Sequence, residues 1–298
     1  MQQLLVDELT GDRVILAPAR ALRPDTFRVR AEPLPPSVAT CPFCRGNEHE
    51  TPPEVARGGS GAAETPGWTL RVVPNKYPIV GDGVPGAHEV VVLSPAHNAD
   101  LGALSDDGAA DVLLALRDRA AFHLAHGSHY AQAFINQGKP AGASIEHPHA
   151  QLVALDFVPP RAQVRLDRFA AAAFADDQQH RVAEGATVVW CPRASPTPFT
   201  VRIAPATGGA RFDETDDEAT RAVGLSLRDT IVALRNVLGD VPYNVMIETA
   251  PRDHTDPFRW WIEIVPRLTV TAGFELGTGV SVNIVAPADA AAALAATR

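Results

Sequence analysis

The chain has 298 residues, 46% hydrophobic and 20% charged, the composition of a globular protein with room for one large domain or two medium ones. A net charge of -9, a pI near 5.5 and no basic stripe argue against nucleic acid as a partner. No apolar run is long enough to span a membrane.

Met1–Glu8 lacks a basic segment and a long apolar stretch, which predicts no signal peptide. Three cysteines, an odd count, predict no disulfide framework and a reducing compartment, the cytoplasm. Over residues 1–40 short strands alternate with Pro-rich connections, and Thr10-Gly11-Asp12-Arg13 reads as a turn between Leu4–Leu9 and Arg13–Leu16. A two-cysteine knuckle, Cys41-Pro42-Phe43-Cys44-Arg45-Gly46-Asn47, comes next, then a Gly/Ala-rich loop from Glu54 to Gly67. Trp68–Val73 is a strand ending in Pro74-Asn75-Lys76-Tyr77-Pro78, and His88–Leu93 a strand ending in Ser94-Pro95-Ala96-His97. Ser105 caps a helix from about Asp106 to His126, with Leu113, Leu116, Ala120 and Leu124 at helical spacing. Tyr130–Asn136 is a strand, a Gly-rich loop fills 137–144, and His147–Leu155 is the next strand. Phe157 to about Phe174 turns helical, and polar Ala175–Gly185 is the best boundary.

The second half repeats this plan. Phe199–Pro205 echoes Trp68–Pro74, and Thr215-Asp216-Asp217-Glu218 has the form of a capping box. A helix with Val223, Leu227, Ile231, Leu234 and Leu238 follows, closed by Gly239. Tyr243–Thr249 echoes Tyr130–Asn136, and Phe258–Val265 falls where His147–Leu155 falls. The chain therefore reads as a duplicated α+β unit, residues 1–175 and 176–298. In that register Arg259 matches His147, Trp261 matches His149 and Glu263 matches Gln151, so only the first copy carries the histidines.

The chemistry gathers at Ser144-Ile145-Glu146-His147-Pro148-His149-Ala150-Gln151. Residues two apart on a strand share a face, so His147, His149 and Gln151 project along one side, beside a loop whose backbone N–H groups suit a phosphate. His149 is the candidate nucleophile, and attack on an α-phosphorus gives a nucleotidyl-histidine. Its other ring nitrogen needs an acceptor, which a carbonyl of the His-Pro-His turn can supply. Gln151 can donate its amide to a phosphate oxygen, with Ser144 and the Gly142 region donating to the same phosphates. Cys41 and Cys44 read as metal or redox residues; a closed zinc site needs two more ligands, for which His97 and His147 are the candidates. Asn75 and Asn136 either contact nucleotide or sugar hydroxyls or serve as strand-end turn residues. Lys76, Arg71 and Lys139 either pair with phosphates or are solvated charges. Cys191 reads as core, and His49, His88, His123, His126, His129, His180 and His254 as surface or core residues without a constellation.

These motifs resemble the galactose-1-phosphate uridylyltransferase family, the transferase branch of the histidine triad superfamily. The resemblance runs through Cys41-Pro42-Phe43-Cys44, Val73–Pro78, His88-Glu89-Val90, Ser94–His97, Gly142–Gln151, Glu263–Leu268 and Ala272–Gly279. Gln151 holds a place where hydrolytic members carry a third histidine. The resemblance implies two histidine-triad units, antiparallel sheets with helices packed on them, and a homodimer. It implies ping-pong transfer of UMP from UDP-glucose to galactose 1-phosphate through His149. It places Cys41, Cys44, His97 and His147 on zinc positions, one structural ion per chain. Ser144 and Gln151 fall on phosphate contacts, Asn75 and Asn136 on nucleotide or phosphate contacts, and Phe274 in the sugar-recognising stretch. Glu248, Arg259 and Trp261 stand where some members carry histidines of a second metal site, which predicts that site's absence. The Gly-Thr-Gly form at 277–279 also resembles ADP-glucose:phosphate adenylyltransferases, which leaves adenylyl transfer from ADP-glucose or a dinucleoside polyphosphate as the alternative.

Overall fold

A computed structural model describes residues 3–17, 40–81, 83–169 and 180–298. The turn at Thr10–Arg13 joins β1 (Gln3–Val6) to β2 (Arg13–Leu16), and β13 (Val280–Asn283) pairs parallel with β2 to complete a small sheet. Among the described residues the large sheet holds ten strands. Its first half uses β3 (Ala56–Gly59), β4 (Trp68–Pro74), β5 (Gly86–Val92), β6 (Tyr130–Gln137) and β7 (His149–Leu155). Its second half uses β8 (Arg181–Glu184), β9 (Thr187–Trp190), β10 (Val201–Pro205), β11 (Tyr243–Glu248) and β12 (Trp261–Pro266). The spatial order is β3-β4-β5-β7-β6-β11-β12-β10-β9-β8, antiparallel throughout.

That order is the same from the centre outwards in both directions. The β6–β11 seam pairs Tyr243 with Gln137 and Asn244 with Asn136, and β7 and β12 flank it as equivalents. The expected duplication and the match of Phe258–Val265 to His147–Leu155 therefore hold, although β12 begins only at Trp261. One expected match does not. Phe199–Pro205 takes the place of β5, and β9 takes that of β4. Apolar strands ending in proline look alike in sequence, whereas a strand's place follows from the helix it precedes. Part of the stretch read as a boundary is strand β8; residues 170–179, where the 175/176 division falls, lie outside the described residues.

Helices cover one face. The Ser105 side chain caps α1 (Asp106–Ala125) by accepting from the Gly108 N–H at 3.2 Å, and Asp106 and Asp107 in the first turn suit the helix dipole. In α3 (Asp217–Leu238) the cap is Asp216, accepting from Ala219 N–H at 2.8 Å, rather than Thr215. The two helices touch closely at Gly224, where a Cβ would meet the Ala109 carbonyl oxygen at 2.7 Å. Their apolar faces, with α5 (Pro287–Ala295), bury Leu113, Leu116, Leu227, Ile231 and Leu294 on the inward residues of the sheet. Each such side chain contributes about 1.5–3 kcal/mol. Cys191 belongs to this core. The other face carries two separate clusters. Cys41, Phe43, Cys44, Trp68, Val73, Val90 and Val92 lie on the first half. On the second, Leu9, Trp190, Ala204, Phe258 and Trp261 meet Leu166 of α2 (Pro160–Phe169). No helix among the described residues is long and apolar enough to cross a membrane.

Candidate active site

Alternation along β7 divides its side chains. Ala150, Leu152 and Ala154 are fully buried, with Ala150 and Leu152 in the helix-side core, so His149, Gln151 and Val153 point to the opposite face. There the neighbouring strands set the company. β5 places Val92 opposite His149, Val90 opposite Gln151 and His88 opposite Val153, and β6 places Phe134 opposite Gln151.

The His-Pro-His turn fixes both rings. His149 Nδ1 lies 2.9 Å from the His147 carbonyl oxygen, so Nδ1 carries the proton and donates it there. Nε2 is left with a lone pair. Burial pulls the His149 pKa down, with that hydrogen bond opposing, so the ring is neutral near pH 7. His147 is wholly buried and its Nε2 donates to the Ser94 carbonyl at 2.8 Å, which leaves Nδ1 bare. Burial pushes its pKa down to about 4. Phe43, between the two cysteines, packs on both rings, with centroids 5.3 Å from His149 and 6.1 Å from His147.

The bare Nδ1 of His147 faces the cysteines. It is 3.6 Å from Cys41 Sγ and 3.5 Å from Cys44 Sγ, while His97 Nδ1 is 3.2 Å from Cys44 Sγ. All four ligand atoms lie within 4.8 Å of one another. A tetrahedral zinc ion with ordinary Zn–S and Zn–N bonds spaces such atoms about 3.6 Å apart, so the four expected residues fit that ion. The Ser94 carbonyl on His147 is the outer partner that a ligating histidine requires. Without a cation, burial and the adjacent Cys41 push the Cys44 thiol up to about 11; a bound cation reverses that preference. The knuckle is braced by Asn47, which donates to the Cys41 carbonyl at 2.8 Å, and by Glu48, which accepts from Trp68 Nε1 at 2.8 Å and Gly46 N–H at 2.9 Å.

The glycine-rich loop is more self-contained than its sequence suggests. The N–H groups of Ala141, Gly142 and Ala143 all bond within the turn, to Gly138 or Lys139 carbonyls. Gly142 holds φ at 92°, a left-handed conformation that favours glycine. Ser144 and Ile145 follow this self-bonded turn, and the Ser144 side chain is exposed. Asn136 accepts from Asn244 Nδ2 at 2.7 Å, and the same amide donates to the Ala141 carbonyl at 2.8 Å. Arg267 Nε in turn donates to Asn244 Oδ1.

The remaining expected contacts lie at different depths. Arg71 is 1% exposed and its guanidinium is held by Glu54 at 2.7 Å and Glu64 at 2.8 Å, so it is not available to a phosphate. Both partners come from the stretch read as a Gly/Ala-rich loop, part of which is strand β3. Lys76 is exposed beside half-buried Asn75. Lys139 is likewise exposed, at the rim of the loop. Phe274 is half exposed on α4 (Gly273–Thr278), which packs on β13 of the small sheet, and no described contact joins it to His149. His88, read as unremarkable, is 7% exposed and lies 2.9 Å through Nε2 from Gln151 Oε1. The signal for it was the register: His88 is diagonal to Gln151 across β5 and β7. Glu248, Arg259 and Trp261 are engaged elsewhere. Glu248 pairs with Arg165 at 2.8 Å, Arg259 donates to the Ala206 carbonyl at 2.7 Å, and Trp261 is core.

Comparison with known proteins agrees with this geometry. A family model described as galactose-1-phosphate uridyl transferase, N-terminal domain, matches residues 80–159. An ADP-glucose phosphorylase of Arabidopsis thaliana is 34% identical, covering 97% of this chain and 91% of that protein. A galactose-1-phosphate uridylyltransferase of Thermotoga maritima is 25% identical over 100% and 99% of the two chains. The crystal structure of an Arabidopsis thaliana ADP-glucose phosphorylase with bound ADP-glucose superposes with a TM-score of 0.86 at 33% identity, covering 99% of each chain. The chain belongs to the galactose-1-phosphate uridylyltransferase family.

Proposed function

We propose that the chain is a nucleotidyltransferase that carries a nucleoside monophosphate on His149. The observation behind this reading is the bond from His149 Nδ1–H to the His147 carbonyl at 2.9 Å, which makes Nε2 the nucleophilic nitrogen. In the first half-reaction Nε2 attacks the α-phosphorus of a nucleotide sugar. The N–P bond forms, the bond to the bridging oxygen breaks, and hexose 1-phosphate leaves. The ring becomes a cation that keeps its Nδ1 proton against the His147 carbonyl. In the second, a phosphate oxygen of the acceptor attacks the same phosphorus, the N–P bond breaks, and neutral His149 returns. Gln151 and Ser144 are assigned as donors to the phosphoryl oxygens, and Asn75 and the Gly142 turn as their neighbours in the substrate cleft. Cys41, Cys44, His97 and His147 would hold one zinc ion whose full shell ties the knuckle to the His-Pro-His turn.

For the substrates we favour AMP transfer from ADP-glucose to inorganic phosphate. The support is the likeness to the ADP-glucose phosphorylase over nearly the whole of both chains. UMP transfer from UDP-glucose to galactose 1-phosphate is the second reading, supported by the family-model match around His149 and the full-length likeness to the Thermotoga enzyme. The proposal includes the two units at 1–175 and 176–298, a homodimer, and a cytoplasmic setting in keeping with three free cysteines. Intact-protein mass after mixing with ADP-glucose, and separately with UDP-glucose, tests it. An AMP-sized gain from ADP-glucose, absent in His149→Gly, is expected. A UMP-sized gain alone selects the second reading, and an adduct that survives in His149→Gly overturns both.

A further inference from the structure

We propose that His88 is the positioning residue that turns the Gln151 amide towards the phosphate, a role that rests on the nucleotidyl-transfer reading. The backbone beside His88 supplies a donor that cannot rotate. The backbone N–H of Ile79 points at His88 Nδ1 from 3.3 Å. Because an amide N–H only donates, Nδ1 is the acceptor and the ring proton sits on Nε2. That proton requires an acceptor, and Gln151 Oε1 is 2.9 Å away. With its oxygen so engaged, the side chain of Gln151 presents its NH2 group elsewhere, which is the orientation that a phosphoryl oxygen needs. The opposite tautomer would set two N–H groups against each other at Ile79. It would also turn the Gln151 oxygen towards the phosphate, where it repels. Burial pulls the His88 pKa down, with the Gln151 hydrogen bond opposing, in keeping with a neutral ring that carries one proton to place.

The relay begins in the loop after β4. Asn75 N–H donates to the His88 carbonyl at 2.8 Å, and Asn75 Oδ1 accepts from Tyr77 N–H at 2.8 Å. The Asn75 amide nitrogen lies 3.2 Å from His88 Nε2, a meeting of two donors that this tautomer leaves unbonded, whereas the opposite tautomer would forfeit both the Ile79 and the Gln151 bonds. The seating of the 75–79 loop thus sets the tautomer of His88, and the tautomer sets the donor at Gln151.

Two measurements test this independently. The first needs no reaction: long-range 15N–1H spectra of the full chain, with His88 assigned by its absence in His88→Gln, report which ring nitrogen is protonated. The Nε2–H form is expected; the Nδ1–H form overturns the proposal even if the enzyme proves to be as described above. The second is a double-mutant cycle on the rate of adduct formation. His88→Leu is expected to lower the rate about 10- to 100-fold, with the donor's KM changed less than threefold. In a Gln151→Ala background the same change should cost less than about threefold, because the group it orients is gone. His88→Gln, which can still accept from Ile79 and donate to Gln151, should recover at least half of the loss on a logarithmic scale. Equal losses with and without Gln151 mean a merely structural His88 and overturn the proposal. If the wild type forms no adduct at all, the nucleotidyl-transfer reading fails, and the tautomer remains to decide the relay.

Discussion

The two halves of the large sheet offer one backbone frame with two fillings. β7 puts His149 and Gln151 where β12 puts Trp261 and Glu263, and the facing strand puts Val90 where the other half has Arg202. In the first half Arg71 on β4 is closed on Glu54 and Glu64, but on β5 and β7 the polar groups facing out of the sheet are neutral imidazoles and an amide, several with one side left for a ligand. In the second half they are charges closed on one another. Arg202 is buried between Glu263 at 2.7 Å and Asp7 at 2.9 Å, and its guanidinium carbon lies 5.5 Å over the Trp261 ring. The covers differ too: the cysteine knuckle on one side, Leu9 of the turn after β1 and Leu166 of α2 on the other. A strand frame thus supplies places, and chemistry depends on whether the groups in those places satisfy one another or wait for a substrate.

Removing the proposed nucleophile breaks the comparison most completely. His149→Gly should abolish the covalent adduct and lower turnover by several orders of magnitude, read by intact mass and steady-state rate. The matching change on the other side, Trp261→Leu, should leave the adduct in place. Next in size is Arg202→Met, which strands Glu263 and Asp7 as buried acids. Loss of one partner from a buried ion cluster costs about 3–5 kcal/mol, so denaturant unfolding should show that loss while surviving folded protein still labels at His149. A stability change below about 1 kcal/mol would show that the network is not buried in solution.

Local chemistry was legible in the sequence; pairing across strands was not. The His-Pro-His turn, the four-residue Cys/His cluster and the repeat of Tyr130–Asn136 in Tyr243–Thr249 could be read because each rests on neighbours in the chain or on scarce residue types. The self-bonded turn at Gly138–Ala143 was misjudged, because its three N–H groups find carbonyls only once Gly138 and Gly142 adopt positive φ. The ion pairs of Arg71 are hidden in the sequence because its acids lie 17 and 7 residues away, in a segment with little apolar patterning. His88 and the Asn136–Asn244 pair depend on registers that join distant strands, and a register shifted by one residue would have reversed every such contact.

Gln151→Ala sharpens the comparison more finely. If its amide donates to the phosphoryl oxygens, the rate of adduct formation should fall about 10²- to 10³-fold, and a loss below about tenfold removes that role. Glu263→Ala in the matching place should change unfolding rather than rate.

The smallest effect concerns Glu248, whose place in β11 faces Trp261. Burial, with help from the like charge of Glu263 and against Arg165, pushes its pKa from 4.5 up to about 7. The folded chain therefore holds a proton there that the unfolded chain releases near 4.5. More protons bound in the folded state means that stability falls as pH rises. The contribution is complete below about pH 4.5 and gone once the pH has passed through about 7, a difference of up to about 3 kcal/mol. Glu248→Gln keeps a neutral group at every pH. Wild-type stability minus variant stability should thus decline across that window in paired denaturant titrations at pH 4.5, 6 and 7.5. A difference that rises with pH would mean that Arg165, 2.8 Å away, outweighs burial and keeps Glu248 ionised. The outward groups of β11 and β12 would then be a charged counterpart of the neutral imidazoles and amide on β5 and β7.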